Sequence, residues 1–431
     1  MKINKAIKRE PVYTYEGGKA SHISEFEELK RATMSCLLWE DEFYEDGISI
    51  ADRITTLTEK CIKNGYYKEV MALLNLVKFD MKLRHCPLWM IVSIFKAGGT
   101  VNKNIIADIL TRPDDMGELL ALYNKDGKKP LANQLKKGIA LAFEKFDEYQ
   151  LSKWNRNANY KLVDIANLCH PKKTEAIDKL IKGTLSTPET WEVLYSAAGK
   201  DIEKKKESWN VLLNNNKLPD MAFLKNIRNM LEVGISKDII VNRINNIRNG
   251  KLLPIDYIRA AENNSSIENE LETKFLSSFN KPKLEGKTAI LVDVSGSMYF
   301  NKDRTKYANA LAMIGREMCE NVDIYTFSND NVLVPNRRGF ALIDAIDKSQ
   351  EHRGTYLWKS VSIASDKDYN RIIVITDEQS YDSPVQAKNN NCYIVNVSTY
   401  NKGVGYEYGY KHINGFSDKI FDYIFEIEKN M

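Results

Sequence analysis

The 431-residue sequence predicts two architectures in one chain: an all-α helical-repeat region over residues 1–283 and an α/β, doubly wound domain over residues 284–431. Three observations predict them. Upstream of residue 280 strand-like alternation is almost absent, and helix follows helix with polar punctuation. Downstream, short apolar runs alternate with amphipathic ones, the order that builds a parallel sheet flanked by helices. Between the two, Asn280-Lys281-Pro282-Lys283-Leu284-Glu285-Gly286 is polar and carries Pro and Gly, the composition of a boundary.

In the first region, Ser24-Glu25-Phe26-Glu27 reads as a capping box ahead of a long amphipathic segment. Thr187-Pro188 places a cap residue before Pro at a first helical position. Leu218-Pro219-Asp220 opens another helix through Leu231, stopped near Gly234. On it Leu224, Ile227 and Leu231 share one face, while Lys225 and Arg228 point elsewhere. Short helices with brief loops over a region of this length point to stacked helical pairs, a HEAT-like α-solenoid. No exact repeat period is visible, so an irregular helical domain stays open on periodicity alone.

In the second region, Ala289-Ile290-Leu291-Val292-Asp293 is a buried-strand run. A helix is expected from Thr305 to Cys319, with Ala308, Leu311, Ala312, Ile314 and Met318 on its apolar face. A strand follows at Val322–Phe327, and helices at Phe340–Ile346 and Tyr356–Ala364. Strands at Ile372–Thr376 and Tyr393–Val397 come next, and a closing helix at Asp418–Glu428.

The first of these strands ends in Asp293-Val294-Ser295-Gly296-Ser297, which puts three oxygen side chains on one tight turn. A hard divalent cation wants such a set: Mg²⁺ takes about six oxygens near ~2.1 Å and keeps some water. Two further pieces lie downstream. Arg353-Gly354-Thr355 offers a hydroxyl on a tight loop, and the strand at Ile372–Thr376 ends in Asp377. Ligands in open α/β sheets gather beyond the carboxyl ends of strands, so Asp293, Ser295, Ser297, Thr355 and Asp377 are the candidate metal ligands. Oxygen donors do not separate Mg²⁺ from Mn²⁺, and Mg²⁺ is the expected ion. The pattern resembles the metal-ion-dependent adhesion site of von Willebrand factor type A domains. It departs from that family's usual Gly-Gly-Thr-acid, because Arg353 precedes Gly354 and Tyr356 follows Thr355.

Composition bounds the remaining classes. Residues 1–283 carry 45 Lys and Arg against 38 Asp and Glu, whereas residues 284–431 carry 17 against 20. The basic excess makes the helical region the candidate for polyanion binding, although a balanced solvated surface explains it almost as well. No apolar stretch reaches the ~20 residues of a membrane helix. The charged start Met1–Arg9 lacks the long apolar segment of a signal peptide. Six scattered cysteines argue against a disulfide framework and fit a reducing, cytoplasmic location. Catalytic signatures are missing: there is no phosphate-binding Gly-rich loop, no His-Glu-x-x-His, and the five histidines are not clustered. The expectation is a protein that binds and does not catalyse.

An all-helical region joined to a C-terminal type A domain resembles the TROVE family, that of the Ro ribonucleoprotein autoantigen and its bacterial and phage relatives. The matching segments are Tyr13-Thr14-Tyr15-Glu16-Gly17-Gly18-Lys19-Ala20, Tyr160–Pro171, Thr190–Leu194 and, most strongly, Leu218–Leu231 around Phe223-Leu224-Lys225-Asn226-Ile227-Arg228-Asn229-Met230. The resemblance implies a monomeric ring of helical repeats closed by the type A domain. It implies a central hole that takes single-stranded 3′ ends of misfolded RNA, and an outer basic surface that binds Y-like small noncoding RNA. It also implies a role in RNA quality control, with delivery to an exoribonuclease in some relatives.

Lys153-Trp154-Asn155-Arg156-Asn157-Ala158-Asn159-Tyr160 interleaves cations, amides and aromatics, a composition suited to single strands. The family's RNA-contacting Lys falls on Lys153; its Arg falls on Asn157, one position from Arg156. With these, Arg228, His170, Lys136 and Lys137 are the candidate RNA-binding residues. For each, a solvated or capping surface residue is the plain alternative. The rival functional reading is a scaffold whose type A domain docks an acidic side chain of a partner protein through the metal. It predicts that Asp293, and not the basic residues, governs binding.

Overall fold

The computed structural model describes residues 10–430 apart from 157, 189, 216–217, 249–251, 280 and 301, with the side chains of 302 and 303 also outside the description. Met1–Arg9, Asn157 and Asn280 therefore lie outside the described residues. The rest divide into two compact units, one of residues 10–50 with 276–430 and the other of residues 51–275. This division differs from the boundary expected at 283/284. The first 40 or so described residues belong to the same unit as the sheet domain.

The helical unit contains no strand among its described residues. Between residues 85 and 182 a pattern recurs, in which a helix lies against the second one along the chain. His85–Lys96 packs on Pro113–Tyr123, Lys103–Ile109 on Asn133–Phe143, Pro113–Tyr123 on Glu148–Trp154, Asn133–Phe143 on Leu162–Cys169, and Glu148–Trp154 on Glu175–Lys182. Alternate helices thus form two stacked layers, the arrangement of an α-solenoid. Close approach is needed at one such contact: a Cβ at Gly138 would lie 2.6 Å from the Cβ of Ile106.

The helix opened by Pro219 runs Asp220–Glu232, with Gly234 just beyond at φ +80°. Phe223, Leu224, Ile227 and Met230 are buried, while Lys225 and Arg228 are exposed. Thr187-Pro188 does not open a helix. The next one is Trp191–Ala197, and its cap is Thr190, whose hydroxyl accepts from the Val193 N–H at 3.3 Å. Thr190 was hidden from the sequence reading because Pro188 two residues earlier carried the stronger start signal.

In the other unit, eight strands are described. β1 (Val12–Tyr13) and β2 (Lys19–Ala20) form a small antiparallel hairpin. β3 (Leu284–Asp293), β4 (Cys319–Phe327), β5 (Asn331–Leu333), β6 (Arg371–Thr376), β7 (Cys392–Asn396) and β8 (Lys411–Asn414) form one sheet in the order β5-β4-β3-β6-β7-β8. All pairs are parallel except β4–β5. Residues of β3 alternate between two helical layers, and both faces are buried, as continuous apolar runs demand. Ala289 and Leu291 meet Leu357, Trp358 and Val361 of the helix Leu357–Ser365. On the opposite face a Cβ at Gly315, in the helix Lys302–Met318, would meet Ile290 and Phe421, so this helix and Ile420–Lys429 lie against that side. The expected apolar face of Lys302–Met318 is buried at Ala308, Leu311, Ala312, Ile314 and Met318.

The helix Glu25–Met34, capped by Ser24, carries a buried cation in its apolar stripe. Arg31 donates from Nη1 to Glu378 Oε1 at 2.6 Å, from Nη2 to Lys402 O at 2.7 Å and from Nε to Tyr400 O at 3.2 Å. Glu378 Oε2 accepts from the Val404 N–H at 2.8 Å. Burial, the largest influence, raises the Glu378 carboxyl, but the Arg31 charge together with His412 and the Val404 N–H outweighs it and holds the group at about 2. Its stabilisation is therefore present above the ordinary glutamate range near ~4.3 and is lost as pH falls from there toward about 2. Removing one partner leaves a buried charge alone. Arg31→Met should destabilise this unit by about 3–5 kcal/mol in urea unfolding, and Arg31→Met with Glu378→Met should recover most of that loss.

Candidate metal centre and nucleic-acid interface

Strand order places the first site. From β3 the chain moves outward to β4 on one side and returns to β6 on the other, so the order reverses between β3 and β6. Crevices at such reversals are where ligands bind in open α/β sheets. Val292 pairs with Ile375, which sets Asp293 and Thr376 side by side at the strand ends, with Asp377 next. The Thr376 hydroxyl donates to Asp293 Oδ2 at 2.6 Å, and the Ser295 N–H donates to Asp293 Oδ1 at 2.9 Å. The hydroxyls of Ser295 and Ser297 are 3.2 Å apart. The Thr355 loop is tied in by the Gly296 N–H, which donates to Arg353 O at 2.8 Å, and by His352 Nδ1, 2.9 Å from Val294 O.

All five expected ligands are buried, with Asp293, Ser295, Thr355 and Asp377 each at 1% exposure. Two of their oxygens, Thr355 Oγ1 and Asp377 Oδ2, have no hydrogen-bond partner. A buried hydroxyl and carboxylate oxygen left unpaired normally cost 1–3 kcal/mol each or more, and a cation would relieve both. Electrostatics say the same. Burial, then repulsion from Asp293, pushes the Asp377 carboxyl up to about 8. Burial also lifts Asp293 to about 6, against hydrogen bonds from Ser295 and Thr376. The donor set fits a hard divalent ion. No cluster of three or more His, Cys, Asp or Glu side chains suited to a metal occurs among the described residues, because three of the five oxygens here are hydroxyls. At the departure from the usual loop, the Arg353 side chain is exposed and pairs with Glu351.

Sequence reasoning missed the N-terminal segment, which borders this site. Thr14 and Gly18 bind Ser380, and the Glu42 carboxylate pairs with the buried Arg304. Tyr44 and Tyr400 pack edge to face at 5.5 Å. The available signal was Arg31, a cation on the apolar face of an otherwise regular amphipathic helix, which demands a buried partner.

The six basic candidates lie in the helical unit, and five of them, all but Lys153, line three clefts. Lys136, Lys137 and His170 come together with Lys103 and Asn133 around a cavity of about 440 Å³. His170 ends the helix Leu162–Cys169 in the left-handed conformation, φ +54°, and remains exposed. Lys153 and Arg156 flank Trp154, with their charged ends 5.7 and 4.9 Å from a ring of that side chain, and Arg112 lies over it at 3.9 Å. Arg156 and Trp154 border a second cavity of about 350 Å³. Arg228 lines a third, about 440 Å³, with Lys225, Arg259 and Asn229, and also pairs with Glu232 at 2.8 Å. Arg259 comes from the helix Pro254–Glu262, and only the fold reveals that it joins Arg228.

A two-layer helical unit and a type A domain with a strand-end oxygen cluster define the class of protein. The comparisons agree. A sequence model of the TROVE domain matches residues 180–326, a span that includes both the helix Asp220–Glu232 and the Asp293 turn. Telomerase protein component 1 of Mus musculus is 31% identical over 123 residues, 27% of this chain and 4% of that protein. The same component of Rattus norvegicus is 30% identical over 96 residues, 21% of this chain and 4% of that protein. The chain thus matches only a small fraction of the length of these relatives. The crystal structure of the Deinococcus radiodurans RO (RSR) protein aligns over 93% of this chain and 98% of that one, with a TM-score of 0.60 at 13% identity. Residues 180–326 are thus similar to the TROVE domain, and the chain shares its fold with the RO protein.

The raised carboxyls have a pH signature. Both hold protons that the unfolded chain releases near pH ~4, so without metal this unit loses stability as pH rises through about 6 and about 8. In EDTA, Asp377→Asn should raise the melting temperature at pH 8 by a few degrees and leave it almost unchanged at pH 4. Differential scanning calorimetry at the two pH values checks this.

Proposed function

We propose that the protein binds small structured noncoding RNA, Y-like or misfolded, in a ribonucleoprotein of the Ro type. The observation that carries this reading is the TROVE match over residues 180–326. The three clefts supply the chemistry. Lys103, Lys136 and Lys137 lie together in one of them, Lys225, Arg228 and Arg259 in another, and each set can neutralise several phosphates. Trp154, ringed by Arg112, Lys153 and Arg156, offers a face on which an unpaired base can stack beside charges that hold its phosphate. Asn229, Asn263 and Asn264 beside Arg228 and Arg259 add amides suited to base edges and 2′-hydroxyls. A structured body would be gripped through phosphates and shape, and a single-stranded 3′ tail through stacking.

In the same reading the type A unit binds a divalent cation, Mg²⁺ the expected one, through Asp293, Ser295, Ser297, Thr355 and Asp377. The ion would neutralise two repelling carboxylates and satisfy the unpaired oxygens of Thr355 and Asp377. Its work in this reading is structural and binding. Delivery of RNA to an exoribonuclease belongs to this proposal as the use to which bound RNA would be put.

The test is binding of a hairpin RNA with a single-stranded 3′ tail across a salt series. Affinity should fall steeply with salt, and Lys136→Ala with Lys137→Ala should weaken binding about tenfold and reduce the log–log slope by about one to two. Trp154→Ala should cost about tenfold for the tailed RNA and little for a blunt duplex. Undetectable or salt-insensitive binding would overturn the reading.

A further inference from the structure

Of the three cations around Trp154, the fold fixes one and leaves two without an acid. Lys153 and Arg156 make no ion pair among the described residues. Arg112 is held by its backbone and its side chain alike. Its backbone N–H donates to Asp115 Oδ2 at 3.0 Å, its Nε to Asp114 Oδ1 at 3.0 Å and its Nη2 to Asp114 Oδ2 at 2.8 Å. Arg84 fixes these acids from the other side, with Nη2 donating to Asp114 Oδ2 and to Glu118 Oε1, each at 2.7 Å, and Nε to Asp115 Oδ1 at 3.0 Å. Three carboxylates thus answer two guanidinium groups, and the two-pronged pair with Asp114 sets the plane of Arg112. No charge on Arg112 is left over for a phosphate.

The Arg112 guanidinium lies 3.9 Å from the centre of a Trp154 ring, nearer than Arg156 at 4.9 Å or Lys153 at 5.7 Å. A planar, weakly hydrated guanidinium stacks well on an aromatic face. The indole has need of such a brace. Trp154 ends the helix Glu148–Trp154, of which only Leu151 is buried, and is itself half-buried. Beside it lies the cavity of about 350 Å³, lined also by Arg156, Asn159, Tyr160, Gly117 and Ala121, with Arg112 outside that lining. Tyr160 is fixed as well, since its hydroxyl accepts from Asn124 Nδ2 at 2.9 Å. Two aromatic side chains, an amide and a cation without an acid therefore border one space, and the indole is braced by a group that does not occupy it.

We propose that this cavity takes one unpaired base of the bound RNA, and that Arg112 is a positioning residue that holds the Trp154 indole for stacking and contacts no phosphate. Lys153 and Arg156 meet the phosphates flanking that base, and Asn159 offers an amide to its edge. The inference rests on the RNA reading above. It adds a place for a single nucleotide and separates the cation that shapes the site from the two that bind charge.

The experiment uses the full chain and a hairpin RNA whose single-stranded 3′ tail carries 2-aminopurine at each position in turn, a base whose fluorescence is quenched on stacking. The wild type should bind and quench the probe, and Trp154→Ala should lose the quench. Arg112→Ala should bind the tailed RNA about tenfold more weakly and lose most of the quench, with the log–log salt slope unchanged. Combined with Trp154→Ala, it should weaken binding no further than Trp154→Ala alone. Lys153→Ala with Arg156→Ala should instead lower the slope by about one to two. Ala121→Leu, at an exposed position of the helix Pro113–Tyr123, fills the cavity and leaves every cation in place. It should lose the quench and keep the affinity for a blunt duplex. A full quench with a reduced slope in Arg112→Ala would make that residue a phosphate contact and overturn the positioning role. A full quench in Ala121→Leu would overturn the cavity as the seat of the base. Absence of tailed-RNA binding by the wild type would overturn the RNA reading, and this inference with it.

Discussion

The buried ion pair between Arg31 and Glu378 is the interaction on which the sheet-containing unit depends. Glu378 follows Asp377 directly, and its backbone is in the left-handed region at φ +61°. The pair therefore joins the helix Glu25–Met34 to the loop that carries one of the strand-end acids. Two charges removed from water cost several kcal/mol each, and what repays this is geometry: Arg31 reaches two backbone carbonyls besides the carboxylate, and Glu378 accepts a backbone N–H as well. Such a pair adds little net stability over a well-packed apolar one. What it fixes is position, since a shift of the helix Glu25–Met34 away from the Glu378 loop would leave each charge buried without the other.

Much of the sheet domain was legible because its signals are local and redundant. β3, β6 and β7 are continuous apolar runs, buried on both sides, and each was placed to within a few residues. The Asp-x-Ser-x-Ser turn marks the end of β3, and the ladder with β6 brings Asp293 and Asp377 together without further information. β5 and β8 were not legible: Asn331-Val332-Leu333 is too short to show alternation, and Lys411-His412-Ile413-Asn414 is mostly polar. The β1–β2 hairpin has two residues per strand, and its position depends on contacts to Gln379 and Ser380 more than 360 residues away. Nothing local encodes that. Assigning residues 10–50 to the helices failed for the same reason, since an amphipathic helix does not say which core it covers.

The basic residues show a different limit. Spacing gave Lys136 and Lys137 as neighbours and turned Lys225 and Arg228 away from the apolar face of their helix, and both are exposed in the fold. Spacing could not say that His170 turns beside Lys136, or that Arg259 comes up against Arg228 from another helix. Those meetings follow from helices stacking on their second neighbours, which brings together residues about 30 positions apart. Family resemblance bridged part of that gap by naming the region, while the partners of each cation came only from packing.

The sheet-containing unit is interrupted in sequence by the helical one, and this has a consequence for synthesis. Arg31 leaves the ribosome 347 residues before Glu378, a delay of tens of seconds at typical elongation rates. Throughout that interval the helical unit, continuous in sequence, can complete its own core. The hairpin and the helix Glu25–Met34 meanwhile have no sheet to bind, and they carry a cation and apolar side chains in need of cover. The nascent chain therefore passes through a long stage with a finished middle and an unfinished beginning, and a chaperone that shields those first 50 residues would act at that stage.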